Sequence, residues 1–303
     1  MITLFTTPKA FEGLIAVIQR NAIESWTHLH PEVQILLIGD EAGMAQTAFD
    51  LKVTHVPEVA RNAHGTPLIS DIFAQAQARA RHARLCYLNA DILLLDDFLP
   101  AVQRVAERFK RFLIVGRRWD LDIEARLDFA PGWVARLRKV LSSQGRLHPP
   151  AGSDYFVYPR EVFETLPDFA LGRAGWDNWM IYAGRARGLP VVDASAAATI
   201  VHQNHDYAHL PGGQPHYRLD ESDENVRLAG GRHAIFTLQD ADWILDGDTL
   251  RRKPLWASGL GRGLEAALIS ALGPGSPARW TWLLLHPRVG LSALRRRLAG
   301  RSS

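Results

Sequence analysis

Between Ile2 and Val192, short apolar runs alternate with stretches of helical spacing, and this alternation limits the fold more than any other feature of the chain. The runs are Ile2–Phe5, Val33–Ile38, Val53–Val56, Leu85–Leu88, Phe112–Val115 and the pair Val191 and Val192, each bounded by polar, Gly or Pro positions. Between them the apolar residues recur at helical intervals over Phe11–Trp26 (Phe11, Leu14, Ile15, Ile18, Ala22), Ile69–Ala83 and Phe98–Phe109. Strands and helices in alternation predict an α/β sandwich around a mostly parallel central sheet. Ligands of such sheets collect beyond the carboxyl ends of the strands. Thr6-Thr7-Pro8, Gly39-Asp40-Glu41 and Asn89-Ala90-Asp91 all fall at such ends and predict one shared crevice.

A chain of 303 residues, 47% hydrophobic and 22% charged, can bury a full core. Residues 1–258 read as the main domain, and 259–303 as a basic, helical C-terminal extension. The first residues lack a basic stretch followed by an apolar one, and no run approaches the roughly 18 apolar residues of a membrane span, so the body is expected in the cytoplasm. The single cysteine, Cys86, sits in an apolar run and reads as core. From Arg251 onward ten Lys and Arg stand against one Glu, a net +9, which leaves −6 on residues 1–250 of a chain whose total is +3. An acidic body without a basic, aromatic-interleaved stripe excludes a general nucleic-acid-binding fold.

Asn89-Ala90-Asp91 carries the most chemistry. A carboxylate at the end of a buried strand needs a partner, and a divalent cation, Mg2+ or Mn2+, that also holds a diphosphate is one that a single Asp beside an Asn can serve. The structural alternative is a plain turn, for which Asn and Asp are common. A literal Asp-x-Asp at Asp120-Leu-Asp122 follows Arg117-Arg118-Trp119, and its acids read as partners of those arginines or as part of an acceptor cleft. In Gly175-Trp-Asp-Asn-Trp179, either Asp177 accepts a proton from an acceptor hydroxyl and Trp176 and Trp179 offer faces for sugar rings, or Asp177 caps the following helix and the tryptophans are core. Asp154, entering the strand-like Ser153–Tyr158, is a second candidate for the base or for contacts to a donor sugar. His202 and His205 lack the further ligands of a zinc hydrolase.

Over residues 2–210 these features resemble the nucleotide-diphospho-sugar transferases of the GT-A fold, in particular the family-2 type. The resemblance implies a glycosyltransferase with a Rossmann-like α/β/α sandwich. It places Asp40-Glu41 at the nucleotide base and Gly65–Asp71, with Ser70 and Asp71, at the nucleoside, while Thr6, Pro8 and Asn89 line the donor side. It further implies a metal motif at Asn89 and Asp91, an additional ligand from His202, and Asp177 as base. Two departures stand out: the first acid of the metal motif is Asn89, and an expected Arg-Asn pair reads Ser70-Asp71.

The function expected is transfer of a sugar from a nucleotide diphosphate to a glycan or lipid-linked hydroxyl acceptor, with inversion if Asp177 is the base. The alternative is a catalytically silent nucleotide- or sugar-binding protein on the same scaffold. A nucleotidyltransferase is disfavoured because residues 5–12 contain no Gly and one Lys. In the tail, Trp280, Trp282 and Leu283–Leu285 with Arg288, Arg295, Arg296, Arg297 and Arg301 fit either a peripheral contact with an anionic inner membrane face or packing on the acidic body.

Overall fold

In the computed structural model, which describes residues 1–205 and 219–289, the chain opens with β1 (Thr3–Thr6), α1 (Gly13–Thr27), β2 (Gln34–Ile38), α2 (Met44–Leu51) and β3 (Thr54–Val56). It returns through α3 (Ile69–Arg79) to β4 (Arg84–Leu88) and turns at once into β5 (Ile92–Leu94). Next come α4 (Phe98–Arg108), β6 (Leu113–Val115), β7 (Trp119–Leu121), α5 (Trp133–Gln144), β8 (Arg146–Leu147) and β9 (Tyr155–Pro159). The described chain ends with α6 (Trp176–Ala186), β10 (Val191–Asp193), β11 (Ile200–Gln203), α7 (Asp220–Leu228), β12 (Trp243–Asp246), β13 (Thr249–Arg252), α8 (Leu260–Leu272) and α9 (Ser276–Leu285).

The central sheet runs β13-β12-β10-β6-β9-β4-β1-β2-β3. It is parallel except for β9, antiparallel to both β4 and β6, and β13, antiparallel on the edge. The fold is therefore the mixed α/β sandwich with a mostly parallel sheet that the alternation predicts. Along β1 and β4, successive side chains enter opposite apolar layers: Phe5, Leu85 and Tyr87 join Phe73 and Met180 from α3 and α6, whereas Leu4, Cys86 and Leu88 join Trp26 and Val105 from α1 and α4. Each fully buried large side chain contributes roughly 1.5–3 kcal/mol, so both layers hold the strand ends in place. Burial pushes the Cys86 thiol up and keeps it protonated, consistent with a core role.

The chain moves outward from β1 to β2 and β3, then crosses to β4 on the other side of β1. In open α/β sheets such a reversal marks the ligand crevice, here at the carboxyl ends of β1 and β4. A smaller sheet, β5-β11-β7-β8, stands beside it.

Two elements take their places in these layers. Ser153–Tyr158 alternates in sequence, but β9 lies inside the sheet and buries Tyr155, Phe156, Val157 and Tyr158 on both faces. Residues from 259 onward change character in sequence, yet Ala266 and Ile269 of α8 and Ala278 of α9 enter the same apolar layer as Phe5 and Met180. Arg295, Arg296, Arg297 and Arg301 lie outside the described residues.

Candidate active site

The turn between β4 and β5 presents Asp91, and its backbone is fixed from both sides. Asn89 N donates to the Asp154 carbonyl at 2.9 Å, and Ile92 N returns to the Asn89 carbonyl at 3.2 Å. From β11, the backbone N and side-chain Nε2 of Gln203 both donate to the Asp91 carbonyl, at 3.2 and 3.1 Å. Gln203 is itself held by Asn21 Nδ2 at 3.1 Å, both residues being buried in α1 and β11. Trp26 Nε1 caps the Ile92 carbonyl at 2.8 Å. With the backbone held by these bonds, the Asp91 carboxylate is left to face the crevice.

Strand register brings two imidazoles to that carboxylate. β11 is paired with β5 on one side and β7 on the other, so that His202 stands opposite both Ile92 and Asp120. His202 Nε2 lies 3.6 Å and His205 Nε2 3.2 Å from Asp91 Oδ2, and one ligand atom from each of the three residues fits within 4.8 Å of the others. On the other edge of the ring, His202 Nδ1 faces Asp120 Oδ1 at 3.5 Å. Asp120 in turn receives His148 Nδ1 at 2.7 Å and Arg118 Nε at 2.9 Å. A carboxylate behind a ligating imidazole fixes its orientation and tautomer. Asp120, which in sequence reads as a partner of the nearby arginine, is that partner and also backs His202.

Charge and burial favour a ligand-ready state. Burial would push the Asp91 carboxyl up, but His202, His205 and Lys9 overcome it and hold the group below the usual carboxylate range. Burial lowers the His202 imidazole, and Arg118 adds to this against the pull of Asp91, which favours the neutral ring that binds metal. Asp91 Oδ1 is buried without a hydrogen-bond partner, while His202 Nδ1 meets only the Asp120 carboxylate, at 3.5 Å and without a hydrogen bond. Thr6 Oγ1, Thr7 Oγ1 and Ser153 Oγ, at the ends of β1 and β9 on the same edge of the sheet, share that state. Buried orphans are rare in folded chains and are expected where a ligand or ion completes them. One carboxylate and two imidazoles, preorganised around unsatisfied atoms, fit a divalent cation.

Asn89 does not offer the bare oxygen that the metal motif implies. Its Oδ1 accepts the Tyr87 hydroxyl at 3.0 Å and its Nδ2 donates to Asp154 Oδ1 at 2.9 Å. The same Asp154 oxygen takes Arg118 Nη1 at 2.7 Å. Asp154 is therefore tied down as a brace for Asn89 and Arg118, a poor arrangement for a base. Asp122 accepts Asn204 Nδ2 at 2.7 Å and serves the chain after β11.

Asp177 lies in the first turn of α6, which begins at Gly175 with φ of +107°, a conformation suited to glycine. Burial pushes its carboxyl up to about 6, with the charge of Asp154 adding and backbone amides of Asn178 and Gly175 partly offsetting. Burial raises the Tyr87 hydroxyl as well, and Asp91, Asp154 and Asp177 all act on it, which places the three acids around one side chain. Trp176 and Trp179 are core residues, not exposed platforms: Trp176 packs edge-on against Tyr87 with centroids 5.0 Å apart, and Trp179 meets Phe169 at 5.1 Å.

On the donor side, Thr6 and Pro8 line the end of β1 and Asp40 is exposed after β2. Ser70 Oγ donates to Asp168 at 2.6 Å, and Asp71 accepts Ala60 N at 2.7 Å, so both brace loops. Lys9, Arg118 and His205 were not singled out as site residues by the sequence. Lys9 sits at the rim within electrostatic reach of Asp91 and Arg173, and Arg173 is paired with Glu221 at 2.7 Å. The spacing of His202 and His205, which an extended strand end can turn toward one point, was the available signal for His205.

No family model matches the chain, and no curated protein matches it. Among solved structures, it is similar to glucosyl-3-phosphoglycerate synthase from Mycobacterium tuberculosis in complex with Mg2+ and uridine diphosphate, at 17% identity and TM-score 0.48, covering 84% of this chain and 87% of that one. It is also similar to S. aureus TarS 1-349 in complex with UDP-GlcNAc, at 10% identity and TM-score 0.47, covering 75% and 65%. At these values the likeness assigns no activity to this chain.

Proposed function

We propose that this chain is a glycosyltransferase that moves a sugar from a nucleotide diphosphate to a hydroxyl acceptor, a glycan or a lipid-linked sugar. The observation that carries this reading is the Asp91–His202–His205 cluster at the reversal point of the sheet, together with an acid, Asp177, that lies within electrostatic reach of Asp154 and has its carboxyl raised toward neutrality. A bound Mn2+ or Mg2+ would supply charge neutralisation for a departing diphosphate. Two imidazoles in the donor set suit Mg2+ poorly, since it is a hard cation that takes oxygen ligands.

The chain's own groups divide the remaining work. Asp91, His202 and His205 would hold the cation, with Asp120 orienting His202 from behind. Lys9 at the rim adds positive charge toward an incoming diphosphate. Asp177, ionised above about pH 6, is suited to accept the proton of an acceptor hydroxyl, which would make the transfer inverting. His205 would supply the third ligand that Asn89, bonded to Tyr87 and Asp154, does not.

The test is a screen of nucleotide-sugar donors, with and without Mn2+, reading both calorimetric binding and release of nucleoside diphosphate. The expected result is Mn2+-dependent release with at least one donor. Binding without release from any donor over a range of hydroxyl acceptors would favour the silent binder.

A further inference from the structure

The C-terminal pair of helices is apolar on both sides. Ala266, Ile269 and Ser270 of α8 face the body and are buried, and Ala278 of α9 is buried alongside them. The opposite face of α8 carries leucines at every fourth position from Leu260 to Leu272, with Leu264 51% and Leu268 45% exposed. Nine of the thirteen exposed large apolar side chains of the described residues lie between Leu255 and Leu285, so the exposure is concentrated in one patch. Trp256 in the turn before α8 is 71% exposed, and Leu284 of α9 is 80% exposed. A helix that is apolar all round is normally covered all round, and large exposed apolar patches mark interaction surfaces.

The charges around this face narrow the occupant. α8 carries only Arg262 and Glu265, which pair with each other at 2.9 Å, and Arg262 is further held by Asp240 at 2.6 Å. The remaining charges from residue 251 onward are all positive, with Arg279 and Arg288 exposed on and just after α9. A second copy would bring two such faces together, each flanked by the exposed Arg279 and Arg288. An anionic surface instead offers the opposite charge, and indoles beside leucines suit the headgroup boundary. Among the described residues no helix is long and apolar enough to cross a membrane, which leaves docking on the surface as the mode.

We infer that the outer face of α8, with Trp256 and the exposed side of α9, docks on an anionic lipid bilayer. The inference stands independently of glycosyl transfer.

Co-sedimentation of the full chain with phosphatidylglycerol vesicles, compared with phosphatidylcholine vesicles, tests it. The expected result is pelleting with the anionic vesicles that weakens as salt is raised. Leu264→Glu combined with Leu268→Glu is expected to weaken the partition about tenfold or more. Trp256→Ser, outside the helix, is expected to weaken it in the same direction without touching the fold of α8. Phe49→Glu, an equally drastic change at a side chain 80% exposed on the body, is expected to leave pelleting unchanged. The inference is overturned if the native chain stays in the supernatant at low salt, or if the variants pellet as it does. A dimer seen in sedimentation velocity without vesicles, and abolished by the α8 double change, would assign the face to a second copy.

Discussion

The crevice above β1 and β4 and the outer face of α8 depart from ordinary burial in opposite directions. In the crevice, polar atoms of Asp91, Thr6 and Thr7 are buried and unpartnered. On α8, large apolar side chains are exposed and unpartnered. A folded chain gains nothing by itself from either condition, since an orphaned polar group costs about 1–3 kcal/mol and exposed leucine forfeits its burial. The difference separates the two proposals: the first calls for an ion and a diphosphate to complete the crevice, the second for an anionic lipid surface to cover the helix face.

Four substitutions sharpen this contrast. The largest effect is expected at Asp177→Asn, with turnover lowered about 10²–10⁴-fold and donor affinity nearly unchanged, the pattern of a lost general base. The pH profile checks the role further. With its carboxyl raised from 3.8 to about 6, the native chain should lose transfer activity as pH falls through 6, a limb that the Asn variant lacks. The same shift means that the protonated form favours the fold, so this group's contribution to stability is present below pH 4 and lost as pH rises through 6. A reduced melting temperature with unchanged turnover per folded molecule would leave Asp177 as a helix-start residue only.

On the buried side of α8, Ile269→Ala should destabilise by about 2–5 kcal/mol in urea unfolding, as core truncations do. Behind the cluster, Asp120→Asn should weaken Mn2+ binding about 10–100-fold, as measured by calorimetry, because His202 loses the carboxylate that orients it. Unchanged affinity would reduce Asp120 to a partner of Arg118 and His148. On the outer side of α8, Leu268→Ser should change stability by less than about 0.5 kcal/mol. A large loss there would mean that the face is already covered and would break the comparison.

The layers of the sandwich were legible in the sequence because each strand is a short apolar run and each helix shows a stripe at helical spacing. Asp91 was legible because a carboxylate directly after a buried run is conspicuous. The pairing of His202 with Asp120 was not, since it depends on β7 and β11 lying side by side, a contact between residues far apart in the chain. Trp176 and Trp179 misled for the converse reason: composition suggests a sugar platform, while the helix phase of α6 turns both indoles into the core. Asn89 read as a weakened ligand because its partners, Tyr87 and Asp154, come together only when β4 and β9 pair. The outer face of α8 could be read only once the inner face was seen docked on the body.

The most direct test of the crevice is titration of Mn2+ into the native chain and into Asp91→Ala, in the presence of a panel of nucleoside diphosphates. The native chain should bind Mn2+ and take up at least one nucleoside diphosphate more tightly with Mn2+ than without it. In folded Asp91→Ala, Mn2+ affinity should fall by more than about a hundredfold and the Mn2+-dependent gain in nucleotide binding should vanish. Mn2+-dependent affinity unchanged in Asp91→Ala would contradict the account.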